Sequence, residues 1–139
     1  MYSIISELIN KIAVHIEQND ESLLFHMSDA SIYKMYHSQD CCEYVHIEDI
    51  EGDLNDLIGV PLLQAEESTS DAGSNDGDSS TWTFYKFATR KGYVTIRWYG
   101  TSNGYYSETA EIERIKDPDI VLERRMKLLK INEKYENIK

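Results

Sequence analysis

"TWTFYKFATRKGYVTIRWYG", residues 81–100, decides the fold. Its two halves, "TWTFYKFAT" and "GYVTIRWYG", are rich in aromatic and β-branched side chains, which favour strands. The "RKG" between them reads as a tight hairpin turn. Strand geometry sends alternate side chains to opposite faces. Val94, Ile96 and Trp98 therefore share a face suited to a core, and Tyr93, Thr95, Arg97 and Tyr99 share the other. That second face sets one guanidinium among hydrogen-bonding side chains. Its rings can stack on a base or on a partner's side chain, and Arg97 can grip a phosphate or carboxylate with two bonds. "SNGYYSE" adds Asn103, Tyr105, Tyr106 and Ser107 at the same hairpin end. The plainer alternative is a tyrosine-rich sheet surface on which Arg97 pairs with a neighbouring acid.

On the N-terminal side of this hairpin lies a run without large apolar residues, "ESTSDAGSNDGDSS" over 67–80, expected as a flexible acidic loop. Before it, "GDLNDLIG" reads as one helical turn capped by Asp53, and "VPLLQAEE" as a short extended piece. The first third reads as a short helical turn over 2–9 followed by three strands, at about 11–18, 23–28 and 32–38, in an antiparallel meander. A fourth strand is expected over 42–50. After the hairpin, "YYSETAEIERI" (105–115) reads as another strand. Asp117 and Pro118 then give a helix start, and the apolar face of Val121, Leu122, Met126, Leu128, Leu129, Ile131 and Tyr135 predicts a C-terminal α-helix over about 118–135. The expected class is α+β: one domain, mainly antiparallel β with seven or eight short strands, a short N-terminal helical turn and that C-terminal helix, which would also join a homodimer.

The 139 residues suffice for one domain that buries roughly 68% of its unfolded surface, so neither a disulfide nor a metal is needed for folding. There is no apolar run of membrane-spanning length and no basic leader at "MYSIISELINK". The expectation is a soluble cytoplasmic protein with its two cysteines as reduced thiols. Net charge is −11, and between Asp40 and Ser80 twelve Asp or Glu stand without a single Lys or Arg. Direct nucleic-acid binding needs clustered cations and is disfavoured. An acidic surface instead favours basic partners, including the nucleic-acid-binding grooves of other proteins.

One further stretch resembles chemistry. In "YHSQDCCEYVHIEDI" (36–50), His37, Cys41, Cys42 and His46 are ligand types that zinc accepts. Adjacent cysteines in a strand face apart, however, so a shared ion needs a local bulge. No cofactor is expected, and zinc is the metal this set would take. The favoured reading is a structural corner of packed cysteines, with Asp40 and Glu43 bonding backbone amides of the following turn. With no Ser-His-Asp order, phosphate loop or H-E-x-x-H, the chain is not expected to be an enzyme.

Two blocks, residues 35–67 "MYHSQDCCEYVHIEDIEGDLNDLIGVPLLQAEE" and 82–108 "WTFYKFATRKGYVTIRWYGTSNGYYSE", resemble a family of small proteins of unknown function found in bacteriophages, prophages and bacterial genomes. The resemblance spans about residues 8–112 and brings no catalytic residue with it. It implies a phage-borne accessory gene acting in a bacterial cytoplasm. By analogy with other small acidic phage proteins, the expected role is stoichiometric inhibition of a bacterial immune effector, in the manner of an anti-CRISPR protein. The alternative is a sponge that sequesters a nucleotide immune signal on Arg97, Tyr99 and Tyr105.

Overall fold

In the computed structural model, which describes residues 4–75 and 77–118, eight strands form two four-stranded antiparallel sheets. The strands are β1 (Ala13–Gln18), β2 (Ser22–Met27), β3 (Ile32–Tyr36), β4 (Tyr44–Glu51), β5 (Gln64–Asn75), β6 (Asp78–Thr89), β7 (Gly92–Ser102) and β8 (Glu111–Lys116). The first sheet runs β1-β2-β3-β8 and the second β4-β7-β6-β5. The 81–100 hairpin lies at the centre of the second sheet. Its register sets Phe87 opposite Val94, Tyr85 opposite Ile96 and Thr83 opposite Trp98, and all six are buried.

These side chains meet Leu23, Phe25, Met27, Tyr33 and Met35 of the meander in one hydrophobic cluster, with the Phe25 and Phe87 rings 5.4 Å apart across the two sheets. Each large side chain so buried contributes about 1.5–3 kcal/mol, which is why alternation in these strands dictates which way they face. Two 3₁₀ turns close the cluster's edges. Ile4–Leu8 buries Ile5 and Leu8, and Leu54–Leu57 buries Leu57 behind an Asp53 cap that accepts the Asn55 amide at 2.9 Å.

The expected α+β class is overturned among the described residues, whose only helical elements are these two 3₁₀ turns. The first stops after one turn because Asn10 adopts a left-handed φ of 72° and the next residues, Ile12 and Ala13, form isolated bridges with Pro61 and Ile58. The C-terminal helix expected over 118–135, and the dimer contact assigned to it, lie outside the described residues. The expected acidic loop is also corrected. Residues 67–75 belong to β5 and 78–80 to β6, paired from Gln64 with Ala88 out to Asn75 with Asp78. Serine, threonine and glycine make poor core but carry backbone donors and acceptors, and β6 supplies their partners.

The strand expected over 105–115 shortens to Glu111–Lys116 and pairs with β3, so the chain crosses from the second sheet to the first over 103–110. Glu108 fastens this crossing. Its carboxylate accepts hydrogen bonds from Ser79, from Thr81 at 2.8 Å and from Ser102 at 2.6 Å. Gly100 lets the crossing lie close, since a Cβ there would sit 2.0 Å from the Glu108 carbonyl oxygen.

Candidate functional site

The outward face of the second sheet carries a continuous row of aromatic side chains. Cross-strand pairing aligns His46 with Tyr99 and Tyr99 with Trp82. The Tyr44 and His46 rings stack at 4.6 Å, His46 meets Tyr99 edge-on at 6.2 Å, and Tyr99 lies 4.6 Å from Trp82. The Tyr99 hydroxyl donates to Ser80 at 3.0 Å. Beside the row, the Arg97 guanidinium rests over Trp82 at 5.2 Å and donates through Nε to Glu48, with Asp49 3.9 Å from Nη2. The Glu48 bond holds the guanidinium's pKa above its ordinary value. Glu48, Asp49 and Asp53 border an open groove of about 590 Å³ at the rim of this face.

Next to Tyr44 the chain makes a corner built on a buried carboxylate. Glu43 Oε1 accepts the amides of Asp40 at 3.0 Å and Cys41 at 2.9 Å, and the Gln39 side-chain amide at 2.6 Å. Burial works to raise the pKa of this carboxyl, but the backbone amides of Cys41 and Asp40 outweigh it and hold the value below the ordinary one. Glu43 Oε2 and His37 Nε2 are 3.7 Å apart on side chains 0% and 3% exposed, and neither atom has a hydrogen-bond partner. His37 Nδ1 is 2.9 Å from the Thr109 carbonyl oxygen of the crossing segment. A cavity of about 310 Å³ opens here, lined by Glu21, His37, Gln39, Glu43, Tyr44 and Val45.

The region containing both features matches a family model described as a domain of unknown function (DUF7448), over residues 6–112. The chain belongs to the DUF7448 family. No curated protein and no solved structure matches it. The matched region includes the first seven strands whole and ends as β8 begins.

Within this DUF7448 domain the residues read from sequence as a binding surface divide into three places. Arg97 and Tyr99 join the aromatic row. Tyr93, 78% exposed, stands at the other end of β7 beside the hairpin turn. Tyr105, 83% exposed, and Tyr106 pair edge-on in the crossing segment, where Asn103 accepts the Tyr105 amide at 3.1 Å. Asn103 and Cys42 line one small cavity, so the corner and the hairpin end do approach each other.

Asp40 and Glu43 lie at one corner, but the amides that Glu43 accepts belong to the turn before it, Asp40 and Cys41, and not to the following turn expected. The cysteines depart from the packed, reduced thiols expected, since Cys41 and Cys42 are exposed and joined as an adjacent disulfide. His37 turns towards Glu43 and Thr109, while His46 stacks on the outer face. Among the described residues no three His, Cys, Asp or Glu side chains are gathered as metal ligands. Sequence reading missed Trp82, although its alternation with Thr83 already placed it on the outer face. It also missed the neighbouring His15, Glu17 and His26 on β1 and β2, where His26 Nε2 lies 3.3 Å from Glu17 Oε1. Among the described residues no helix is long and apolar enough to cross a membrane.

Proposed function

We propose that this DUF7448 protein is a non-enzymatic inhibitor, carried by phage or prophage, that docks the outer face of its second sheet onto a basic, nucleic-acid-binding surface of a bacterial immune effector. The observation that carries this reading is the aromatic row Tyr44–His46–Tyr99–Trp82 with its acidic border at Glu48, Asp49 and Asp53. Aromatic side chains at the centre of a patch supply contact area at low entropic cost, and a charged border steers a partner of opposite sign. A basic protein surface fits this face better than a phosphate does, because Arg97 already directs donors at Glu48 and Asp49. That engagement weighs against the nucleotide sponge.

The test titrates purified protein into purified effectors carrying labelled nucleic acid. Release that saturates near one protein per effector, and that weakens at raised salt, is the expected result. Binding indifferent to salt, or equally strong after Trp82→Ala, would count against the docking face.

A further inference from the structure

We infer that the corner between His37 and Glu43 is a pocket for an arginine side chain of the protein partner. The inference rests on the proposed reading of the outer face as a docking surface for a basic protein, and it adds where one of that partner's cations goes.

Two acceptors without a donor define the pocket. The Thr109 carbonyl oxygen is an acceptor, so a neutral His37 ring carries its proton on Nδ1 and presents a lone pair at Nε2. Across the 3.7 Å gap stands Glu43 Oε2, an oxygen of a carboxylate held ionised by the corner's amides. That separation is too long for a hydrogen bond, and two acceptors could not form one in any case. Both atoms are shielded from solvent and have no other partner. Leaving such groups unpaired is costly, and a single cation with several N–H donors reaches both.

Three features of the surroundings point to arginine. The cavity of about 310 Å³ is lined by a second carboxylate, Glu21, so its charge suits a cation. Tyr44, 59% exposed, offers a ring on which a planar guanidinium stacks. A guanidinium is also more weakly hydrated than an ammonium and so enters a buried site at lower cost. Tyr44 belongs to this cavity and to the aromatic row alike, so an arginine seated here comes from the partner that covers the row.

The test uses the whole protein and N-acetyl-arginine methylamide as the probe, read by NMR of the His37 ring nitrogens and of the Asp40 and Cys41 amides. A saturable shift of His37 Nε2 and of both amides is expected. Glu43→Gln retains an oxygen for the amides but loses the charge, and binding should weaken by about tenfold or more. Glu21→Gln, at the rim, should weaken it about threefold and leaves the buried corner untouched. A His37 ring protonated on both nitrogens and unmoved by the probe would overturn the assignment, because the pair would then satisfy itself. So would wild-type affinity in both variants. N-acetyl-lysine methylamide binding as tightly would overturn the choice of arginine. The probe needs no partner, so its failure leaves the docking face standing, and failure of the effector titration leaves the pocket standing.

Discussion

Removing the Glu108 carboxylate should loosen the join between the two sheets by an amount the structure bounds. Glu108 accepts from three hydroxyls, those of Ser79, Thr81 and Ser102, and a hydrogen bond to a charged group contributes about 1.5–3 kcal/mol. Ser79 and Thr81 are half-buried and regain water when the acid is lost, whereas Ser102 stays buried. Glu108→Ala should therefore cost about 2–4 kcal/mol, well short of three full bonds and still a large share of the roughly 5–15 kcal/mol that stabilises a domain. Urea unfolding followed by tryptophan fluorescence reads this. Burial works to raise the Glu108 pKa, but the Ser102, Ser79 and Thr81 bonds outweigh it and set the folded value below the ordinary one. A depressed carboxyl stabilises the fold fully above its unfolded pKa, about 4.3, and loses that contribution as pH falls through the folded value. The gap between wild type and Glu108→Ala should accordingly be constant near neutral pH and shrink in acid. A cost below about 0.5 kcal/mol at neutral pH, within the range of ordinary surface substitutions, would refute the reasoning.

Gly100→Ala places a Cβ 2.0 Å from the Glu108 carbonyl oxygen, a backbone contact that no rotamer relieves. It should cost about 3 kcal/mol, and combined with Glu108→Ala the losses should fall short of their sum, as a double-mutant unfolding cycle would show. Replacing Cys41 and Cys42 with serine should lower the unfolding free energy by less than about 1 kcal/mol, because a bridge between adjacent residues closes almost no chain loop. A larger loss would show that the bridge, not Glu43, holds the corner. Arg97→Ala removes a half-exposed ion pair and should leave the urea unfolding curve close to that of the wild type. A nucleotide bound by the wild type and lost in that variant would shift the balance to the sponge.

The central hairpin was legible because Val94, Ile96 and Trp98 alternate strictly with polar neighbours, and burial enforces that pattern. The meander was legible for the same reason at Leu23, Phe25, Tyr33 and Met35. Strand β5 was not, since "ESTSDAGS" buries nothing that would impose alternation. Its structure comes from backbone pairing with β6, a partner that local sequence does not announce. The transfer of β8 to the first sheet likewise depends on a crossing held by Glu108, and a glutamate among serines and threonines reads in sequence as solvated.

The aromatic face was half visible. Arg97 and Tyr99 stood out as neighbours in one strand, but their contacts with His46 and Trp82 arise only when three strands lie side by side. In Glu43, burial and the unpartnered oxygen are properties of the folded corner, while the sequence showed only an acid beside two cysteines.

The most direct test of the docking face is displacement of labelled nucleic acid from a basic bacterial immune effector by wild-type protein and by the Trp82→Ala/Tyr99→Ala double variant, with unfolding curves confirming that both are folded. Losing even one central aromatic anchor costs about 2 kcal/mol or more, so the account predicts displacement by the wild type and at least roughly thirtyfold weaker displacement by the variant. Equal displacement by the two proteins would contradict it.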